Sequence, residues 1–387
     1  MSAPQGEGAP AGQGHVAVCG GGLVGSSLVL ALVAAGRAVH VHDADPAVRQ
    51  VLRDVHGATV TDTWAEAAAG ASSVIAAVPP PAIPAVLAEA VPLADPSALL
   101  TDVAGVKQAV VERVSAALAP HEGALSRYVG GHPMAGSERS GPGAADATLF
   151  SGATWVLTPT AHTSDDALAR AGDLVRALGA RVLVLAPEDH DTIVGLVSHL
   201  PQLVASVLAD VAAEAVGSER DAVMAVAGPG FRDTTRIAAS DAALWLDIIA
   251  GNRTAVAAAL AAFESRLATV RSAVVERDDE VLATVLRRAS EARRRLLPKG
   301  IDEPTRDLLV PLRDRPGEIA RITGALGAAG INIEDLAMRH ASAADRGSLL
   351  LRIRADATDR AIDVLSAADV EGIVIEADAA DDPTGRR

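Results

Sequence analysis

The sequence predicts an α/β chain in three folded parts: a doubly wound parallel sheet, an all-helical block and a small βαββαβ module. Three observations carry this. From His15 to about Pro187, short β-rich runs alternate with Ala-rich helical segments, the pattern of strands joined by crossover helices. From about Glu188 to Leu297 no strand pattern appears, and apolar residues recur at helical spacing. From about Arg306 to Ala377 the runs read strand, helix, strand, strand, helix, strand.

Taken in order, residues 1–14 are rich in Gly, Pro, Gln and Ala and predict a disordered tail, as do residues 378–387. The first folded region, 15–187, has strands at His15–Cys19, Ala38–His42, Ser73–Ala77, Leu99–Asp102, Tyr128–Gly131, Thr154–Thr158 and Arg181–Leu185. Helices are predicted at Gly25–Ala35, Pro46–Arg53, Ile83–Ala90 and Val106–Leu118. The second region, 188–298, reads as the helices Glu188–Val216, Ser240–Gly251, Asn252–Arg277 and Asp279–Leu297. Ile249, Val256, Leu260, Phe263 and Leu267 mark a helical apolar stripe there. That is more apolar helix than one sheet needs for cover, so a homodimer interface is predicted. A Leu-Pro-Lys-Gly linker (297–300) leads to the last region, 306–377. Its predicted strands are Asp307–Leu312, Asn332–Met338, Ser348–Ile353 and Gly372–Glu376, with helices Gly317–Ala329 and Thr358–Ala368. This is the order of a ferredoxin-like module.

Composition removes several function classes. The chain of 387 residues carries a formal net charge of −15, against the basic footprint that nucleic acid or an anionic membrane surface requires. A few local arginines still suffice for a small anionic substrate. The single cysteine, Cys19, excludes an internal disulfide and fits a reducing cytosol as a small buried hydrophobe. The run Val16–Gly36 lacks a basic n-region and is broken by glycines, unlike a signal peptide. No other uninterrupted apolar run approaches the ~20 residues that span a bilayer. These features predict a cytoplasmic protein.

The first chemical motif is Gly20-Gly21-Gly22-Leu23-Val24-Gly25, which follows the first strand and opens the first helix. Gly20 permits the tight turn, Gly22 lets the backbone approach a pyrophosphate, and Gly25 allows close helix–strand packing. Strand, turn and helix together make a Rossmann-type nucleotide site. Asp43 ends the next strand and suits the two ribose hydroxyls while repelling a 2′-phosphate, which favours NAD. Arg49 and Arg53 nearby keep NADP as the minority reading.

Val78-Pro79 and Thr101-Asp102-Val103-Ala104-Gly105-Val106-Lys107 stand at further strand ends, the edge that faces ligand in open α/β sheets. Val78, Pro79 and Asp102 are therefore placed at the cofactor, although Asp102 equally suits a helix cap and Lys107 a solvated surface. Gly130-Gly131-His132-Pro133-Met134-Ala135-Gly136-Ser137-Glu138 puts a histidine on a loop among glycines, where it can accept a proton near neutral pH. Further along come Asp191, Ser198-His199-Leu200-Pro201, Gly230-Phe231-Arg232-Asp233-Thr234-Thr235-Arg236-Ile237-Ala238, Ser240-Asp241 and Trp245. Pro201 removes a helical donor and crowds the carbonyl of Val197, which predicts a kink beside Ser198. No histidine cluster has a tight metal spacing, so no metal is predicted.

From His15 to Leu297 these motifs, in this order, resemble the prephenate/arogenate dehydrogenase family of tyrosine biosynthesis. The resemblance implies that His132 takes the proton from a ring hydroxyl while hydride leaves the same carbon for NAD. It implies that the ring carboxylate then departs as CO₂. Arg236 resembles the clamp on a substrate carboxylate, a task suited to the paired donors of a guanidinium. Ser198 completes the catalytic set, and Glu138, His199, Gln202 and Trp245 border the substrate in the same picture. Read without the resemblance, Arg236 also suits a surface ion pair, and His199 and Trp245 suit the helical core. Two positions depart from the family pattern: Gly105 stands where many members have Ser, and Gln202 where many have a second His. Both keep the choice between prephenate and arogenate open, along with an amino-substituted prephenate.

Asp314-Arg315-Pro316-Gly317-Glu318-Ile319-Ala320, with Gly330-Ile331-Asn332-Ile333, resembles an ACT domain. The resemblance implies an amino-acid site at Asp314, Pro316, Gly317 and Asn332, with tyrosine as effector, or an ACT-like module that only dimerises. The expected molecule is thus an α/β Rossmann-type doubly wound sheet, an all-helical dimerisation domain and a ferredoxin-like ACT domain. The competing readings are another ACT-bearing dehydrogenase and a catalytically silent amino-acid sensor. The intact motifs around His132 and Arg236 oppose both.

Overall fold

The computed structural model describes residues 14–55, 57–135, 141–216, 226–296, 305–312, 315, 317–339, 348–370 and 372–376. The chain divides into two compact units, Met1–Ala268 and Thr269–Arg387.

The first unit is built on an eight-stranded sheet in the order β3-β2-β1-β4-β5-β6-β7-β8. The strands are β1 (Val16–Cys19), β2 (Val39–His42), β3 (Ala58–Val60), β4 (Ser73–Ala76), β5 (Leu99–Asp102), β6 (Tyr128–Pro133), β7 (Thr154–Thr158) and β8 (Arg181–Val184). β1, β4 and β5 are buried at every position, as strands covered by helices on both faces must be. Helices α1 (Leu23–Ala34), α2 (Pro46–Arg53) and α6 (Asp165–Ala177) share one apolar layer with Val16 and Val18. Helices α3 (Trp64–Ala68), α4 (Ile83–Ala90) and α5 (Gln108–Leu118) share the other with Ala17 and Cys19.

β3 and the short α3 lie outside the predicted elements: Ala-Thr-Val is too brief to register as a strand by periodicity. The larger difference is direction. β6 and β7 are antiparallel, with His132 opposite Val156 and Pro133 opposite Trp155, so the sheet is not wholly parallel. A parallel return needs a crossover, usually a helix. Between β6 and β7 the described residues contain only a 3₁₀ turn, Pro142–Ala144.

After β8 the unit becomes helical: α7 (Pro187–Val194), a π-turn (Gly195–His199), α8 (Leu200–Val216), α9 (Pro229–Thr235), a 3₁₀ turn (Arg236–Ala239), α10 (Ala242–Gly251) and α11 (Arg253–Glu276). Gly195 packs so closely on α11 that a Cβ there would lie 3.2 Å from Ala255 Cβ. The continuous helical stretch Pro187–Glu214 is long and apolar enough to span a bilayer by length and hydropathy, contrary to the expectation from the sequence. Isolated polar residues had hidden the apolar run. Leu196, Val197, Val207 and Val211 on it are exposed, a larger apolar surface than isolated exposed side chains account for.

The second unit contains α12 (Asp279–Leu296) and a four-stranded antiparallel sheet in the order β10-β11-β9-β12. Its elements run β9 (Thr305–Pro311), α13 (Glu318–Ala328), β10 (Asp335–Arg339), β11 (Ser348–Arg354), α14 (Thr358–Ala367) and β12 (Val374–Glu376). β11 alternates buried and half-buried residues, the signature of a sheet with one covered face. Leu308, Val310, Ile322, Leu326, Leu349, Leu351 and Leu365 form its core.

Candidate active site

β6 projects beyond its neighbour. Its last backbone pairing with β5 joins Val129 to Thr101, so Gly131 and His132 extend past the β5 ladder while still paired to β7. His132 therefore lies within a strand and not on the loop expected for it. Strand pairing fixes its direction more tightly than a loop would.

His132 is the outer end of a hydrogen-bonded relay. Its Nδ1 lies 2.8 Å from Nε2 of His190, and Nδ1 of His190 lies 2.8 Å from Oδ1 of Asp191. Asp191 also accepts the backbone N–H groups of Lys107 at 2.8 Å and Gln108 at 2.9 Å. Its carboxylate thus sits at the positive N-terminus of α5. An ionised Asp191 takes the Nδ1–H of His190, leaving His190 Nε2 to accept from Nδ1–H of His132. The lone pair of His132 is then on Nε2, which lies 3.6 Å from where a Cβ on Gly105 would stand. Burial, then His190, Lys107 and His199, hold the His132 pKa well below the ordinary histidine value. The ring is neutral at physiological pH and ready to accept a proton.

The helical part closes around this relay. Asn252 Nδ2 donates to the Asp191 carbonyl at 2.7 Å and lies 3.3 Å from His199 Nδ1. His199 is buried and meets Trp245 edge-on, with ring centroids 5.9 Å apart. Leu200 N–H reaches back to the Gly195 carbonyl, a π-type hydrogen bond. This wide turn directly precedes Pro201 and carries Ser198 on its half-buried side, matching the predicted distortion. Gln202 is buried, and its Nε2 donates to the Ile237 carbonyl at 2.9 Å. It ties α8 to the turn that begins at Arg236. Arg236 is exposed, and among the described residues no hydrogen bond or ion pair engages it.

At the other end of the strand edge, the glycine turn fits a dinucleotide. Gly20 has φ +103°, a conformation that favours glycine. A Cβ on Gly25 would stand 2.0 Å from the Gly20 carbonyl oxygen, whereas one on Gly22 would meet nothing within 4 Å. The turn is therefore closed beneath and open above, where a pyrophosphate would approach the N-terminus of α1. Leu23 and Val24 are half-buried at that helix start, and Val78 and exposed Pro79 follow β4. Asp43 accepts the Gly21 N–H at 2.7 Å and the Asp45 N–H at 2.8 Å, keeping lone pairs for ribose hydroxyls. Arg49 donates to the Asp43 and Ala44 carbonyls, and Arg53 pairs with Asp62 at 3.1 Å. Neither guanidinium is reserved for a 2′-phosphate.

Two family models match the chain: the prephenate dehydrogenase nucleotide-binding domain over residues 28–184 and the prephenate dehydrogenase dimerization domain over residues 186–288. The chain belongs to the prephenate dehydrogenase family. A cyclohexadienyl dehydrogenase of Zymomonas mobilis subsp. mobilis is 33% identical over 282 residues, covering 72% of this chain and 94% of that one. The crystal structure of prephenate dehydrogenase from A. aeolicus with hydroxyphenyl propionate and NAD+ superposes with a TM-score of 0.67 at 28% identity. That match covers 74% of this chain and 99% of the other. Arogenate dehydrogenase of Synechocystis gives a TM-score of 0.63 at 26% identity, covering 73% of this chain and 99% of the other.

Within this family member, two sequence-based placements need correction. Asp102, placed at the cofactor from the sequence, is fully buried, with its carboxylate engaged inside the protein. Its Oδ1 accepts from Ala104 N–H at 2.8 Å and Lys107 Nζ at 2.5 Å, and its Oδ2 accepts from the Tyr128 hydroxyl at 2.8 Å. Lys107, read as solvated, is likewise fully buried. Glu138 lies outside the described residues, as do Asp314 and Pro316. Gly317 caps α13 in the left-handed region at φ +86°, and exposed Asn332 donates to Glu334 at 2.9 Å. His190 and Asn252 were missed. The adjacency of His190 to Asp191 ahead of an apolar helix was the only available signal, and it has no spacing that distinguishes it from a helix start.

Proposed function

We propose that this chain is an NAD-dependent prephenate dehydrogenase, converting prephenate to 4-hydroxyphenylpyruvate by oxidative decarboxylation in tyrosine biosynthesis. One observation carries the reading: the Asp191–His190–His132 relay leaves an unprotonated Nε2 at the strand edge that also bears the glycine turn. NAD, when bound, accepts the hydride released from the ring carbon. His132 Nε2 takes the proton of the hydroxyl on that same carbon, so the C–O bond gains double-bond character as hydride departs. Arg236 pairs with a substrate carboxylate through its guanidinium fork, and Ser198, His199, Glu138, Gln202 and Trp245 border the substrate. Breaking the bond to the ring carboxylate releases CO₂ and leaves an aromatic ring, which makes the step irreversible.

Arogenate is the second reading. The likeness to an arogenate dehydrogenase supports it, and so does the departure at Gly105, where an added Cβ would touch the His132 ring at 3.6 Å. The exposed apolar helical face fits a homodimer better than a membrane, in a cytoplasmic enzyme with domains 15–187, 188–298 and 306–377. The order β10-β11-β9-β12 supports a ferredoxin-like ACT module binding tyrosine through Asp314, Pro316, Gly317 and Asn332. The test is NADH formation with NAD and either prephenate or arogenate, with and without tyrosine. Turnover on prephenate that tyrosine suppresses is expected; no turnover on either substrate would overturn the reading.

A further inference from the structure

Of the 34 Lys and Arg residues in the chain, only Lys107 and Lys299 are lysines, and Lys107 is fully buried. An ammonium withdrawn from water is strongly disfavoured unless paired and hydrogen-bonded. Nζ of Lys107 donates to Asp102 Oδ1 at 2.5 Å and to the Gly131 carbonyl at 2.6 Å. Tyr128 and the Ala104 N–H complete the shell around Asp102. A well-packed apolar side chain could occupy such a volume without desolvating two charges, so packing alone does not account for this pair.

Its place in the sheet does. Gly131 immediately precedes His132 and lies where the β5–β6 ladder has stopped. Its surroundings are tight: a Cβ there would stand 2.6 Å from the Asp102 carbonyl oxygen and 2.9 Å from Trp155 Nε1. We propose that Lys107 is a positioning residue for the proton acceptor, clamping the Gly131 carbonyl where backbone pairing ends and setting a positive charge beside the His132 ring. This rests on the reading of His132 as the base.

The groups that face this ring are His190 and Asp191 of α7, His199 of the π-turn, and Lys107 with its partners Asp102 and Tyr128. Asp191 acts on His132 through His190. The Lys107 cation opposes protonation of His132, in the same direction as burial, His190 and His199. Lys107 therefore performs two separable tasks, one as a donor and one as a charge.

Three variants separate them. Lys107→Met leaves Asp102 buried and unpaired, and is expected to lower Tm. The Asp102→Asn/Lys107→Met double variant removes both charges, and Lys107→Gln keeps a donor for Gly131 without the charge. In whichever of the latter two folds to the Tm of the parent, kcat is expected to fall, by roughly tenfold or more for the double variant. The KM for NAD should stay unchanged, and the acid limb of kcat/KM should move to higher pH. A folded variant with the kcat and acid limb of the parent overturns the proposal and leaves the pair merely structural. If neither folds, the pair is structural and the proposal also fails. His132→Asn assayed alongside keeps the two readings apart: retained turnover there removes the base itself, whatever Lys107 does.

Discussion

At the residue scale, the site depends on which nitrogen of His132 carries the proton. His132 and His190 stand in series, and Asp191 at the N-terminus of α5 fixes the direction in which each donates. Replacing His190 by Phe keeps the volume and aromatic character but removes the acceptor for His132 Nδ1–H. The ring is then free to place its proton on Nε2, where it blocks the reaction. We expect His190→Phe to lose roughly 10²- to 10³-fold in kcat, within the range general-base catalysis supplies, while the KM for NAD stays near that of the parent. Measured steady-state kinetics with an unchanged kcat would separate His190 from the base. His132 itself stood out in the sequence only because the segment Gly130–Glu138 resembles the family's loop, since a lone histidine is more often structural. Lys107 did not: a lysine after Gly105-Val106 reads the same whether the chain turns it outward or into the sheet. Only the spatial approach of β6, distant in sequence, decides which.

At the element scale, Pro201 and the π-turn act together. Leu200 N–H bonds to the Gly195 carbonyl, and Pro201 has no N–H to pull the following turn back to regular α geometry. The wide turn keeps Ser198 half-buried and His199 against Trp245. Pro201→Ala restores the donor and favours a regular helix, by about 3 kcal/mol in an isolated helix interior. We expect Tm to hold or rise while the KM for substrate increases, as Ser198 rotates away from the position it now holds. An unchanged KM with a raised Tm would show that the π-turn plays no part in binding. Most elements of the first unit were legible from alternation and turn residues, since parallel strands buried on both faces read as continuous apolar runs. The antiparallel step from β6 to β7 was not, because strand direction depends on what the connection does, and neither strand records it.

At the scale of the whole molecule, histidines drawn wholly or partly out of water couple stability to pH. His40, His132 and His199 each have a folded pKa below the ordinary value, chiefly through burial. An unfolded chain then binds more protons than the folded one once pH drops below about 6.5. Stability is therefore full above that pH and is lost as pH falls through it, by up to about 1.4 kcal/mol per pH unit for each such group. Tm followed by circular dichroism should be flat from neutral pH down to about 6.5 and then decline. A Tm that stays level to pH ~5 would mean these rings protonate freely in the folded state. The helical block from Pro187 contributes differently, by leaving Leu196, Val197, Val207 and Val211 exposed. The block matches a dimerization domain model, and the cover proposed for this face is a second copy of the chain. That surface was legible as an excess of apolar helix, whereas the length of its uninterrupted apolar stretch was not.

The most direct measurement is the pH dependence of kcat/KM for NADH formation, for the parent and for His132→Asn. With Nε2 unprotonated and its pKa held low, the parent should keep its full rate at neutral pH and lose it only below about 6.5. His132→Asn should be slower by several orders of magnitude at every pH, with that acid limb gone. An acid limb that survives the substitution, or a rate close to that of the parent, would contradict the assignment of His132 as the base.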